Sequence, residues 1–151
     1  MNFQENITLQ HISAEQTLNL RSKVLRPGEA IDKCRYLEDS LSSTFHLGVL
    51  IGDKIVCTGT FMKDISPDFP AETSAYRLRG MATDPDFRGL QLGSRLLARA
   101  EIELRALNCK LLWFNARLSA FPFYEKNSFE FKGEIFEIKG IGPHKVMFKF
   151  L

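Results

Sequence analysis

The chain lacks the cysteine pattern of a stapled or metal-bound domain: Cys34, Cys57 and Cys109 are odd in number, widely spaced, and without a second Cys or His at a zinc-like interval. They read as buried free thiols, no metal site is expected, and a reducing cytosol fits. The first residues, MNFQENITLQ, have neither the basic start nor the apolar run of a secretory signal. The longest apolar stretch, around Phe45 to Ile51, is far too short to span a bilayer, so no membrane partner is expected. A dominant charge is missing too: 20 Lys and Arg stand against 18 Asp and Glu, a formal charge of +2, with no long block of either sign. Nothing there demands a nucleic acid or an acidic membrane. No GxGxxG opens a first βαβ unit with an acidic partner further on, and no GK[ST] is present to hold a triphosphate and magnesium. Repeats, low-complexity tracts and charged tails are likewise absent.

What is there fits one domain over residues 1–151, a length that supports one core. Phe3 to His11 suits a first strand. Ser13 caps a helical segment, with Leu18, Val24 and Leu25 apolar, that Pro27 and Gly28 stop. Phe45 to Ile51 and Lys54 to Met62 are β-rich runs joined at Gly52-Asp53, a hairpin signal, and Lys63 to Ser74 reads as a surface loop. Ala75 to Thr83 is a third run. Gly93 to Leu107 places Leu96, Leu97, Ala100, Leu104 and Leu107 on one helical stripe, with Arg99/Glu103 and Glu101/Arg105 pairs on the exposed side. Asn108 ends that helix, and Lys110 to Asn115 reads as a strand covered on both faces. Strand, helix, strand in this order implies a right-handed parallel crossover. Ser119 to Asn127 is a short helix with Ser119 as cap and Pro122 in its first turn. Phe129 to Ile138 and Lys145 to Phe150 form a strand pair joined through Gly140 to Pro143. The fold class is α/β, a mixed sheet flanked by helices.

The chemistry concentrates between the third β-run and the long helix, in Asp84-Pro85-Asp86-Phe87-Arg88-Gly89-Leu90-Gln91-Leu92-Gly93-Ser94. A strand that ends in a Gly-containing loop and feeds a helix turns several free backbone N–H groups toward one point, where the helix dipole favours an anion. Gly89 and Gly93 permit close backbone approach, Arg88 adds a charged fork and Ser94 a hydroxyl. The dipole contributes about 0.3 to 1 kcal/mol, against about 8 kcal/mol for micromolar affinity, so the ligand must be long and held elsewhere too. On the glycines alone, a plain strand-to-helix turn stands level with the anion site.

Three further segments share this order and spacing with the loop: Leu78-Arg79-Gly80-Met81-Ala82-Thr83, Asn115-Ala116-Arg117 and Phe123-Tyr124-Glu125-Lys126-Asn127-Ser128-Phe129. Together they resemble the GNAT (Gcn5-related) N-acetyltransferases, most strongly from about Leu78 to Phe131. The resemblance implies a splayed mixed sheet of six to seven strands flanked by about four helices. It implies acetyl-CoA as cosubstrate, with Met81, Ala82 and Thr83 meeting the pantetheine arm and the pyrophosphate on Arg88, Gly89, Leu90, Gln91, Leu92, Gly93 and Ser94. Gln91 departs from the family pattern, which has Gly there.

By the same resemblance an amine acceptor attacks the thioester, a backbone N–H of Met81 or Ala82 meets the oxyanion, and Tyr124 protonates the leaving thiolate. The bland alternative packs the Tyr124 ring in the core. Asn115 reads as a coenzyme contact or a cap. His144, in a Gly/Pro turn, and Glu72, Glu134 and Glu137 are open as base. The rival functions are transfer of another acyl group and a coenzyme-binding module without turnover. Nucleic-acid binding has little support, because Glu101 and Glu103 interrupt Arg77, Arg79, Arg88, Arg95, Arg99 and Arg105. Open edge strands are compatible with a homodimer.

Overall fold

The computed structural model describes residues 6–151, so the Phe3 to Glu5 part of the expected first strand lies outside the described residues. Hydrogen bonding orders seven strands as β1-β2-β3-β4-β5-β7-β6. These are β1 (Ile7–Ile12), β2 (Phe45–Ile51), β3 (Lys54–Lys63), β4 (Ala75–Thr83), β5 (Leu111–Arg117), β6 (Glu130–Ile138) and β7 (Gly142–Phe150). β4 and β5 run parallel, with Ala75 to Arg77 opposite Leu111 to Trp113, whereas β1–β2, β2–β3, β5–β7 and β6–β7 are antiparallel. The α-helices are α1 (Ala14–Leu20), α2 (Leu92–Ala106) and α3 (Phe121–Lys126). Two compact units divide the chain, one of the described residues up to Met62 with Leu78–Ala100, the other of Lys63–Arg77 with Glu101–Leu151.

In the first unit Ser13 opens α1 with a capping box: its hydroxyl accepts from the Gln16 amide at 3.2 Å and its own amide donates to Gln16 Oε1 at 2.8 Å. The helix then widens into a π turn, Arg21–Leu25, before the Pro27-Gly28 stop. That widening changes which side chain faces inward, and Arg21 is buried at 1% exposure. Two 3₁₀ turns, Ile31–Cys34 and Leu37–Ser40, occupy a stretch whose sequence shows no periodicity. The β2–β3 hairpin turns at Gly52, φ 61, as its Gly-Asp signal requires. Leu47, Val49, Val56, Phe61, Leu78, Leu96 and Leu97 are buried in this unit.

In the second unit Trp113 of β5 packs with Ala75 and Leu111, covered by Phe69 and Phe148, and its indole N–H donates to the Asp64 carbonyl at 2.8 Å. The loop after β3 is therefore fastened by an aromatic anchor. Asn108, at φ 60, ends α2 in a Schellman-type closure, with the Cys109 amide donating to the Leu104 carbonyl at 2.9 Å.

Several expectations are corrected. The helix runs Leu92–Ala106, and Leu107 is 55% exposed because the Asn108 reversal takes it off the buried stripe. Glu101 is buried, because Lys149 donates to both its oxygens, at 2.8 and 3.1 Å. Ser119 does not cap α3; Ala120 holds that position, preceded by a 3₁₀ turn over Leu118–Ala120. β7 begins at Gly142, so His144 lies in a strand opposite Arg117, not in a turn.

Candidate functional site

The glycine loop belongs to the first unit. Asp84 ends β4 and is 2% exposed. Its amide donates to the Val56 carbonyl at 2.8 Å, its Oδ1 accepts from the Asp86 amide at 3.0 Å, and its Oδ2 accepts from Lys23 Nζ at 3.1 Å. The loop thus springs from a fixed root, passes through a 3₁₀ turn over Pro85–Phe87, and reaches α2 through Gly89 (φ 81) and Gln91 (φ 59). A side chain built on Gly89 would meet nothing within 4 Å, so the loop is open there. The Gln91 carbonyl accepts the first helical bond of α2, from Arg95 at 3.1 Å. The amides of Leu92, Gly93 and Ser94 are therefore first-turn donors of a 15-residue helix. Arg88, Leu90 and Gln91 are exposed, Ser94 half-buried, and Leu92 and Gly93 buried.

β4 itself carries a left-handed residue, Gly80 at φ 68, where a Cβ would come within 2.9 Å of Arg21 Nε and 3.2 Å of Tyr36 Oη. Only glycine meets both demands. The alternation of β4 shifts there: Leu78 and Met81 both reach the place a Gly59 Cβ would take, at 3.4 and 3.2 Å. Ala82 is buried, and the Thr83 hydroxyl donates to Cys57 Sγ at 3.3 Å. Burial pushes the Cys57 thiol up to about 11, so it is inert as a nucleophile.

Against Gly80 stands a network that sequence reasoning missed. Arg21 donates to Asp39 through both terminal nitrogens, and also to the Cys34 carbonyl at 3.0 Å and Thr60 Oγ1 at 2.7 Å. His46 bonds Thr60 through Nδ1 at 2.8 Å and the Asp39 carbonyl through Nε2 at 3.1 Å. A carbonyl only accepts, so Nε2 carries the proton and Nδ1 accepts from Thr60. Burial above all, then the Arg21 charge, holds His46 below the usual imidazole range, against the opposing pull of Asp39. Asp39 is held below the usual carboxylate range: burial pushes it up, and the Arg21 fork and the Tyr36 amide outweigh that. The one sequence signal was an Arg on the apolar side of the first helical segment.

The second unit holds Asn115 and Tyr124. Asn115 is half-buried and opposes Val146. Tyr124, 7% exposed, packs its ring 4.2 Å from that of Phe114 and 5.9 Å from that of Phe129. Its carbonyl accepts from the Asn127 and Phe129 amides at 3.0 and 3.1 Å. Lys149, donating to the Asn127 carbonyl at 2.9 Å, secures the end of α3. His144 is buried and its Nδ1 donates to the Gly142 carbonyl at 2.8 Å, which leaves Nε2 as the unprotonated nitrogen of the neutral ring. Among the described residues no group of His, Cys, Asp and Glu is placed to hold a metal ion, and no helix is long and apolar enough to cross a membrane.

Residues 44–131 match the sequence profile of the acetyltransferase (GNAT) domain. The chain is 40% identical over 140 residues to an uncharacterized N-acetyltransferase, YitI, of Bacillus subtilis, covering 93% of each chain. Its fold is similar to that of a candidate N-acetyltransferase from Lactobacillus plantarum, with a TM-score of 0.78 at 20% identity over 96% of this chain and 98% of that one. Escherichia coli ElaA gives a TM-score of 0.73 at 19% identity, over 95% and 99%. An aminoglycoside 6'-N-acetyltransferase solved with coenzyme A gives 0.71 at 13% identity, over 95% and 96%.

Proposed function

Because the chain belongs to the GNAT acetyltransferase family, we propose that this acyltransferase moves the acetyl group of acetyl-CoA to a primary amine of a small molecule or peptide by direct attack. The observation that carries the reading is the open turn at Gly89 to Gln91 leading into the free amides of Leu92, Gly93 and Ser94. It offers a pyrophosphate several aligned N–H donors, with Arg88 exposed beside them. Since the dipole adds only about 0.3 to 1 kcal/mol, the pantetheine arm must contribute through the main chain of Met81, Ala82 and Thr83, and Asn115 is assigned a further coenzyme contact.

The neutral amine attacks the thioester carbon, the new C–N bond forms, and the carbonyl oxygen becomes an oxyanion held by a Met81 or Ala82 amide. As the C–S bond breaks, the sulfur leaves with its electron pair and takes the Tyr124 phenol proton, while the surplus amine proton passes to water and restores the phenol. A free phenol is a weaker acid than a free thiol, about 10 against about 8.5, so that transfer is uphill by about 2 kcal/mol, and delivery of the surplus amine proton to the phenol completes it. Residues 1–151 act as one transferase domain on this reading, in a reducing cytosol consistent with three buried free thiols.

Calorimetric titration with acetyl-CoA, CoA and NADH tests it. Micromolar binding of the two coenzyme A species only, abolished by Gly93→Glu, supports the site; no binding of either removes the transferase reading.

A further inference from the structure

Beside the Gly80 turn of β4 lies an ion pair whose cation is stacked on an aromatic ring. Arg79 and Arg21 each place the guanidinium carbon 3.9 Å from the centroid of the Tyr36 ring. Two cations at that distance cannot share one face, so the ring is held between them. Arg21 is fixed on its side by the Asp39 fork, the Cys34 carbonyl and Thr60. Arg79 is one-third exposed on the other side, and its nearest carboxylate, Glu38, stands 4.0 Å away and 40% exposed. That separation exceeds a hydrogen bond, so both charged groups keep open valences toward solvent. Glu38 itself lies in a 3₁₀ turn whose flanks are locked: Asp39 takes the Arg21 fork and accepts the Tyr36 amide at 3.0 Å. By contrast Lys33, 3.9 Å from Glu29, is 71% exposed and stacks on no ring among the described residues.

We propose that Arg79, stacked on Tyr36 beside Gly80, and Glu38, 4.0 Å from it, form the acceptor subsite, and that the acceptor is an amino-acid-type zwitterion. The guanidinium takes its carboxylate in a two-pronged contact, and Glu38 takes the N–H groups of its amine. This inference rests on the acyl-transfer reading above, in which Met81, the residue after Gly80, meets the thioester. The charge pattern favours a zwitterion over a plain amine. A neutral pair of opposite charges matches a neutral ligand of opposite charges, whereas an amine alone would leave Arg79 unanswered and sit near two guanidinium groups. Preorganisation adds to this, since stacking on Tyr36 has already restricted the Arg79 side chain. Glu38 orients the amine by accepting its N–H groups. Attack uses the fraction of amine that is already neutral.

The test is coenzyme A release with acetyl-CoA and the twenty protein amino acids, each beside its α-carboxamide and its decarboxylated amine. The expected result is turnover of at least one amino acid, with kcat/KM at least tenfold lower for its two uncharged-carboxyl partners. Arg79→Met should remove that preference and Arg79→Lys restore part of it, with acetyl-CoA affinity unchanged as the control for folding. Glu38→Gln should raise KM for the amino acid at least fivefold. Equal use of carboxamides or plain amines, or turnover of no amino acid by a protein that binds acetyl-CoA, overturns the subsite and leaves the transferase reading standing. Failure to bind acetyl-CoA at all removes that reading and this inference with it.

Discussion

Arg21 meets the Asp39 carboxylate through two parallel donations, Nη1 to Oδ2 at 2.7 Å and Nη2 to Oδ1 at 2.8 Å, with the guanidinium 1% exposed. Removing one partner of such a pair leaves the other buried and unanswered, which costs about 3 to 5 kcal/mol. Arg21→Met is therefore expected to lower the urea midpoint sharply, and Asp39→Asn to do so less, since an amide keeps one acceptor. A loss below about 1 kcal/mol in Arg21→Met, the scale of an exposed pair, would mean that the network is not needed for folding.

The same network makes stability depend on pH. The folded-state pKa of His46 lies below the ordinary 6.5, so the unfolded chain binds a proton there that the folded chain refuses. Stability therefore falls as pH drops below 6.5, and the depressed Asp39 extends the loss below its ordinary 3.8. In His46→Gln the amide reproduces the neutral ring, accepting from Thr60 and donating to the Asp39 carbonyl. Its urea midpoint should change less than that of the parent between pH 7 and 5. Parallel curves for the two proteins would acquit His46.

Gln91 sits at φ 59, a conformation that costs an L side chain about 1 to 2 kcal/mol. Gln91→Gly relieves that strain while adding about 0.5 to 1 kcal/mol of unfolded-state freedom. The expected balance is a gain of up to about 1 kcal/mol, read as a rise of about 2 to 4 °C in Tm. Removing the Cβ should also tighten acetyl-CoA binding by calorimetry. A weaker complex would show that the Gln91 side chain assists the phosphates instead of crowding them.

Tyr124→Phe keeps the ring against Phe114 and Phe129 and removes only the hydroxyl. It should lower kcat at least tenfold at unchanged acetyl-CoA affinity. Unchanged turnover would return Tyr124 to a packing role.

Local chemistry settled much of this protein in advance. The Gly52-Asp53 hairpin, the Ser13 cap, the Asn108 stop and the four-residue stripe of α2 each depend on neighbours in sequence, and each formed where its residues demanded. The strand–loop–helix carrying Arg88 to Ser94 was legible for the same reason, since a turn and a helix start are short-range events. Even Gln91 was marked as out of place, and its φ of 59 explains why glycine suits that position. Tertiary structure alone decided the rest. The apolar residues Leu18, Val24 and Leu25 marked a helical segment but could not foresee a π turn, which buries Arg21 only because Asp39, Cys34 and Thr60 converge on it from distant positions. Glu101 read as surface because its partner, Lys149, lies far along the chain. His144 read as a turn residue until β6 and Arg117 paired with its strand. A buried charge needs partners that sequence spacing does not reveal, and folding supplied them.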